Sequence, residues 1–395
     1  MSLNANWVQT WGQSHSALSL FYYPSCKKTY RLVINSAISG KAVRIKLSNS
    51  YGKKDVTVGK VTVALCDEFG TAYSDFKDVT FNGDKKFVIK KGERLQSDSV
   101  ELDVKVGYHF CVSMYVEKGD MTSGNLLDNV LLITSPGDKT SIKKVPNERR
   151  QRDSVIDKAG ILLGMHLPKP IPLFDSVELL NSDGASAVVI FGDSVSQQGF
   201  WSNPFEQRLR ECYPGKYSLI NKSVMGNRLL FDCSPIFVAR GLYGKKASTR
   251  IKDDVYPYEN ISHVILFIGV NDVFEYGSIN APKKEKPDTK AMCDTIKNFT
   301  DELHKKGCKV ISFNIPGFGT APDATREKDG LRREVNNWLK ENQGMFDGFF
   351  DVAAAGADPV DDYYSRAEFI GPDKLHPNAK GGKFFADLVD LSWFA

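Results

Sequence analysis

The sequence predicts two domains of different class: an all-β sandwich or jelly roll, then an α/β domain whose parallel sheet lies between helical layers. Three observations lead there. Up to about residue 160 the chain is a series of short runs rich in Val, Ile, Thr and aromatics, with turn residues between them. From residue 185 onward the hydrophobic period changes, and continuous apolar runs alternate with helical stripes. Between the two lies Leu167-Pro168-Lys169-Pro170-Ile171-Pro172, whose alternating prolines favour extended backbone and read as a semi-rigid linker. The 395 residues are too many for one ordinary domain and fit two, expected at 1–175 and 176–395.

In the first part, strands are expected at Tyr30 to Ile38, Ala42 to Leu47, Val56 to Leu65, Lys86 to Ile89, Ser99 to Val106 and Tyr108 to Val116. Val43-Arg44-Ile45-Lys46-Leu47 puts three aliphatics on one face and two cations on the other, the period of a half-buried strand. Turns are expected at Ser39-Gly40, Asn49 to Gly52, Asn82-Gly83-Asp84 and Lys91-Gly92. This spacing suits a sandwich or jelly roll. Lys143, Lys144, Arg149, Arg150 and Arg152 form a basic cluster, expected as a solvated loop.

In the second part, Ala187 to Phe191 and Val264 to Ile268 are apolar throughout, as in strands buried on both faces. Tyr217 to Asn221, Val310 to Phe313 and Gly348 to Val352 are further strands. Asn203-Pro204 offers a helix cap with proline behind it, and Phe205, Leu209 and Cys212 give the stripe. Met292, Ile296, Phe299 and Leu303 mark an amphipathic helix closed by Gly307. Leu331, Val335, Trp338 and Leu339 mark another, and a last helix starts at Asn378.

Composition narrows the function classes. An apolar fraction of 42% and a charged fraction of 25% are ordinary for globular chains. A formal charge of +4 over this length makes no electrostatic case for nucleic acid. No stretch approaches the length of a membrane helix. The seven cysteines show no CxxC spacing, so neither a zinc motif nor a disulfide framework follows, and the pattern suits a reducing compartment. The start, Met-Ser-Leu-Asn-Ala-Asn-Trp, has no basic or apolar leader, so a cytoplasmic location is expected, or a secreted one if a leader has been removed.

Four short blocks carry the chemistry. Phe191-Gly192-Asp193-Ser194 ends the first buried strand, and in open α/β sheets sites form at the carboxyl ends of strands. Val224-Met225-Gly226-Asn227-Arg228 follows the second strand, and its glycine lets a backbone N–H approach a ligand. Ile268-Gly269-Val270-Asn271-Asp272 ends the third, where a carboxamide can donate into the same crevice. Asp373-Lys374-Leu375-His376-Pro377 precedes the last helix; Asp-x-x-His can form one local turn in which the carboxylate holds one imidazole nitrogen and leaves the other for the serine. Each block alone reads as an ordinary turn. Together, in this order, they are far more specific.

The four blocks resemble those of the SGNH, or GDSL-type, serine hydrolases. The match covers residues 185 to 395, with Val195 where the family name has leucine. The resemblance implies a three-layer αβα flavodoxin-like domain with a five-stranded parallel sheet. It implies that Ser194 is the nucleophile, with Asp373 and His376 completing the triad. The oxyanion hole would be the N–H groups of Ser194 and Gly226 with the Asn271 side chain. Asn6-Trp7-Val8-Gln9-Thr10-Trp11 and Val43 to Asn49 are similar to the β-sandwich that precedes the hydrolase in one subgroup.

The expected activity is ester hydrolysis through an acyl-enzyme, on a small-molecule or saccharide ester, with acetyl groups on a carbohydrate as first choice. The alternatives are a short-chain esterase or lipase, or a carbohydrate-binding protein with an inactive hydrolase domain. His15, His109, His166, His263 and His304 share no metal-ligand spacing, and no Gly-x-Gly-x-x-Gly or P-loop follows a strand, so no metal or cofactor is expected. Oligomeric state is not readable from the chain.

Overall fold

The structure is a computed structural model that describes residues 5–18, 25–127, 129–146, 169–233 and 241–395. The chain forms two compact units, one containing Pro168–Ala187 and Arg210–Ile220 with the front of the chain, the other containing Val188–Leu209 and Asn221–Ala395.

The first unit is antiparallel β structure. His109–Lys118 is central in one sheet, paired on one side with Lys28–Asn35 and on the other with Val56–Cys66. Leu131–Pro136 extends that sheet beyond Lys28–Asn35. In a second sheet Phe174–Asn181 lies between Asn6–Gly12 and Gly40–Ser48. The alternation read in residues 43–47 is realised: Val43, Ile45 and Leu47 are buried, while Arg44 and Lys46 are only half-buried. Arg44 is not simply solvated. It lies 4.6 Å from the Trp7 ring and pairs with Glu178 at 2.7 Å. Val33, Ala64, Cys66, Cys111 and Ile133 pack into one core cluster.

Two readings of the sequence need correction here. The expected linker is partly a strand: Lys169–Pro172 pairs with Ser123–Leu127, setting Pro172 opposite Gly124 and Pro170 opposite Leu126. It is an edge strand, with Ser123–Leu127 between it and Ser16–Ala17. Proline is tolerated there because its missing N–H takes no donor from a second neighbour. The expected boundary at 175 falls inside Phe174–Asn181, so antiparallel pairing runs on to Asn181. Arg149, Arg150 and Arg152 of the basic cluster lie outside the described residues, as do Leu167 and Pro168 of the proline stretch; Lys143 and Lys144 are exposed.

The second architecture is a five-stranded sheet in the order Tyr217–Asn221, Ser186–Gly192, Ile261–Phe267, Lys309–Phe313, Gly348–Phe350. Numbered along the chain this is 2-1-3-4-5, and helices connect the parallel strands. Ala187 to Phe191 are each 0% exposed, as the continuous apolar run requires. In this order the connections after the first and third strands leave in opposite directions, which opens a crevice at their carboxyl ends. The blocks containing Ser194 and Asn271 follow those two strands.

The helices mostly follow their stripes. Thr289–Lys305 buries Met292, Ile296, Phe299 and Leu303, and Gly307 turns the chain away at φ +78°. Arg326–Glu341 covers the stripe expected from Leu331 to Leu339. Asn203, expected as a cap, is instead the second residue of Ser202–Cys212, and Pro204 still sits in the first turn, where no helical donor is required of it. Four α-helices among the described residues had no counterpart in the sequence reading: Ser194–Gln197, Ala247–Asp254, Val270–Glu275 and Val352–Gly356, the last beginning at Val352, where the sequence reading ended a strand. Among the described residues no helix is long and apolar enough to cross a membrane.

Candidate active site

Ser194 begins a single helical turn directly after the strand Ser186–Gly192. Asp193 caps that turn, its carboxylate accepting from the Val195 N–H at 3.1 Å. The turn fixes the serine, which is 7% exposed.

The fourth block comes up to meet it. His376 Nε2 lies 2.7 Å from Ser194 Oγ, and His376 Nδ1 lies 2.8 Å from Asp373 Oδ2. The other oxygen of Asp373 accepts the Leu375 N–H at 3.0 Å and the His376 N–H at 2.9 Å. The local turn is closed by Lys374 N–H to Gly371 O at 2.9 Å and Gly371 N–H to His376 O at 2.8 Å. Lys374 pays a conformational cost for it, sitting at φ +62°, a region that non-glycine residues seldom adopt. Asn378 then caps the last helix by accepting the Gly381 N–H.

This geometry sets the tautomer. An ionised carboxylate only accepts, so Nδ1 carries the proton toward Asp373, and the Nε2 lone pair faces the serine hydroxyl. Asp373 is ionised at neutral pH. Burial by itself would raise its pKa, but the hydrogen bond and charge of His376, with the two backbone donors, bring it down to about 2.

The second and third blocks are bound to each other. The loop after Tyr217–Asn221 turns at Val224–Asn227, with Asn227 N–H to Val224 O at 3.2 Å. Gly226 lies at φ +64°, and a Cβ there would stand 2.3 Å from the Tyr243 ring, so the position accepts only glycine on both counts. Asn271 Nδ2 donates to the Asn227 carbonyl at 3.1 Å. Asn271 also lines a small cleft with Ser194, Pro316, Phe318, Leu375 and His376.

Sequence reading missed the two buried carboxyls of the site. Asp272 accepts the Leu229 and Leu230 N–H groups at 2.6 and 2.9 Å, which ties the end of the second block to the third. Burial raises its pKa to about 6 against those two donors. Asp193, 1% exposed, is raised further, to about 7, by burial and by the nearby Asp272, against the Val195 N–H and the charges of His376 and Arg250. Their signal was only adjacency: each stands next to a residue that was singled out.

Asp193 makes the folded state sensitive to pH. Its folded pKa of about 7 lies above its ordinary 3.8, so the folded protein holds this proton more tightly than the unfolded chain. The stabilisation from that proton is full below about pH 4 and is lost as pH rises through 7. Asn at 193 can still accept the Val195 N–H but does not titrate. Asp193→Asn is therefore expected to flatten the fall in stability between pH 4 and 8, seen as urea midpoints across that range. Equal slopes for variant and wild type would contradict it.

Three of the remaining histidines have partners elsewhere. His15 contacts Ser123 Oγ at 2.9 Å, His263 contacts Ser262 Oγ at 2.8 Å, and His304 contacts Asp347 at 2.9 Å. His109 lies at the start of a strand, and His166 is outside the described residues. Among the described residues no group of three or more His, Cys, Asp and Glu side chains is placed to hold a metal ion.

Residues 190–384 match the GDSL-like Lipase/Acylhydrolase family model. No curated protein matches the chain. Among solved structures, a GDSL-like lipase from Bacteroides thetaiotaomicron is similar at 15% identity and TM-score 0.38, covering 53% of this chain and 88% of its own. An acetyl xylan esterase from Geobacillus stearothermophilus is similar at 18% identity and TM-score 0.39, covering 54% of this chain and 96% of its own.

Proposed function

We propose that this chain, whose residues 190–384 match the GDSL-like lipase/acylhydrolase family model, is an SGNH-type hydrolase that cleaves carboxylic esters through an acyl-enzyme on Ser194. The observation that carries this reading is the unbroken chain from Ser194 Oγ through His376 to Asp373, at 2.7 and 2.8 Å. His376 Nε2 takes the hydroxyl proton as Oγ attacks the ester carbonyl. The Ser194 and Gly226 N–H groups and the Asn271 carboxamide receive the charge that develops on the carbonyl oxygen. His376 returns the proton to the leaving alcohol. Water then takes the alcohol's place and the cycle repeats on the acyl-enzyme. Asp373, ionised throughout, holds the imidazole and offsets its charge when it is protonated.

The acyl group we propose is short, acetyl first. The cleft at Ser194 is small, with Val195, Val270 and Phe318 among its walls, which suits a short acyl chain. A polar alcohol that stays in solvent needs no apolar channel, and an acetylated saccharide meets both conditions.

The test is a series of p-nitrophenyl esters from acetate to decanoate, followed by acetylated xylan, mannan and simple sugars with acetate release measured. Highest kcat/KM on acetate and release from one of the saccharides are expected. A preference for decanoate would overturn the short-acyl reading. No hydrolysis of any ester by folded protein would overturn the esterase reading.

A further inference from the structure

We infer that Arg250 is a positioning residue that holds the nucleophile's strand end and the oxyanion loop in one fixed relation. The inference rests on the assignment of Ser194 as nucleophile made above. Arg250 lies on the helix Ala247–Asp254, outside all four blocks. It is 2% exposed, an unusual place for a guanidinium, and it stacks 4.0 Å from the Phe191 ring.

Its donors reach three separate pieces of the site. Nη2 donates to the Gly192 carbonyl at 2.8 Å, two residues before Ser194. Nη1 donates to the Lys222 carbonyl at 2.8 Å, at the root of the second block's loop, and to Asp254 Oδ2 at 3.2 Å. Nε donates to the Asn227 side-chain oxygen at 2.8 Å, one residue after Gly226. The Asn227 amide cannot turn away, because its Nδ2 donates to Tyr243 O and Lys245 O at 2.8 and 2.7 Å. The Asn227 main-chain carbonyl in turn receives Asn271 Nδ2. Every proposed oxyanion donor is thus within two residues of a group that Arg250 holds, or is bonded to such a residue.

The start of the helix reinforces the arrangement. The Ala247 N–H donates to Arg228 O at 2.8 Å and the Ser248 N–H to Leu229 O at 3.2 Å. Only a planar fork can serve carbonyls in these directions at once; a lysine ammonium would keep the charge and lose the geometry. A displacement of about 1 Å in such a site can cost roughly 10²-fold in rate.

The experiment compares Arg250→Lys, Arg250→Ala and Asn227→Ala with wild type on p-nitrophenyl acetate, with folding followed by circular dichroism. For Arg250→Lys and Asn227→Ala, kcat is expected to fall on the order of 10²-fold while KM stays within about threefold. Added guanidinium ion is expected to restore part of the turnover of Arg250→Ala. A purely structural role would lower the melting temperature and leave kcat of the folded fraction unchanged, and that result in Arg250→Lys overturns the inference. If the Arg250 variants do not fold, Asn227→Ala decides, and a wild-type kcat there overturns it. Ser194→Ala is run alongside. Turnover surviving in that variant sinks the assignment of the nucleophile, whereas its loss together with a wild-type kcat in Arg250→Lys sinks only the role of Arg250.

Discussion

Replacing Ser194 with alanine is expected to lower ester turnover by ~10⁴- to 10⁶-fold, and replacing His376 with alanine to do nearly the same. The two side chains share one proton across 2.7 Å, so neither works alone. Without Oγ no acyl-enzyme forms. Without the imidazole the hydroxyl keeps its proton and remains a poor nucleophile. The double variant is expected to be no worse than either single one, because groups that act as a unit are lost as a unit. The fold should survive both changes. Asp193, not Ser194, caps the helical turn, and His376 is held in its turn by backbone bonds at Gly371. Steady-state kinetics on p-nitrophenyl acetate, with circular dichroism of each variant, makes the measurement. Turnover within a factor of a few of wild type in either single variant would remove Ser194 and His376 from the chemistry.

What was legible in the sequence was what periodicity and turn chemistry report directly. The run Ala187 to Phe191 had to be a strand buried on both faces, and the spacing of Asp373 and His376 had to permit a turn. Both follow from local sequence alone. The helix Ala247–Asp254 was missed although Ala247, Ile251 and Val255 are all buried at a spacing of four. Its apolar stripe is one residue wide, and Ser248, Thr249, Lys252 and Asp253 between those positions are polar. Arg250 went unnoticed for a related reason. A buried cation is recognisable only by its acceptors, and those of Arg250 include two backbone carbonyls, which every residue has. The proline stretch misled in the opposite way. Alternating prolines reported extended backbone correctly, but whether such a segment is a linker or an edge strand depends on a partner more than 40 residues away in sequence, Ser123–Leu127. Asp193 and Asp272 differ again. Their residue types were in view, but burial decides what a carboxyl does, and burial is a property of the fold.

In the proposed mechanism Asn271 is where the third block acts on the reaction, and Asn271→Ala is expected to lower kcat by about 10² to 10³-fold, or roughly 3 to 4 kcal/mol. Its carboxamide has two N–H bonds. One is directed to the Asn227 carbonyl at 3.1 Å, and the side chain also borders the cleft beside Ser194, where the second N–H can meet the carbonyl oxygen as charge develops on it. The ground-state ester carries little of that charge, so KM should change much less than kcat. Alanine also releases the loop of Gly226 from one of its ties, which adds to the loss in the same direction. Asn271→Asp loses the same tie and adds a charge, so its difference from alanine reports the electrostatics at the oxyanion. A carboxylate has nearly the same shape but cannot donate to Asn227 and repels an oxyanion, so it should be worse than alanine. At 3% exposure its own ionisation is disfavoured, so the excess loss should grow as pH is raised and the aspartate deprotonates. Kinetics of the three proteins on one ester, at several pH values above neutrality, decide the matter. An alanine variant that loses affinity and keeps turnover would make Asn271 a substrate-binding residue and leave the Ser194 and Gly226 N–H groups as the oxyanion donors.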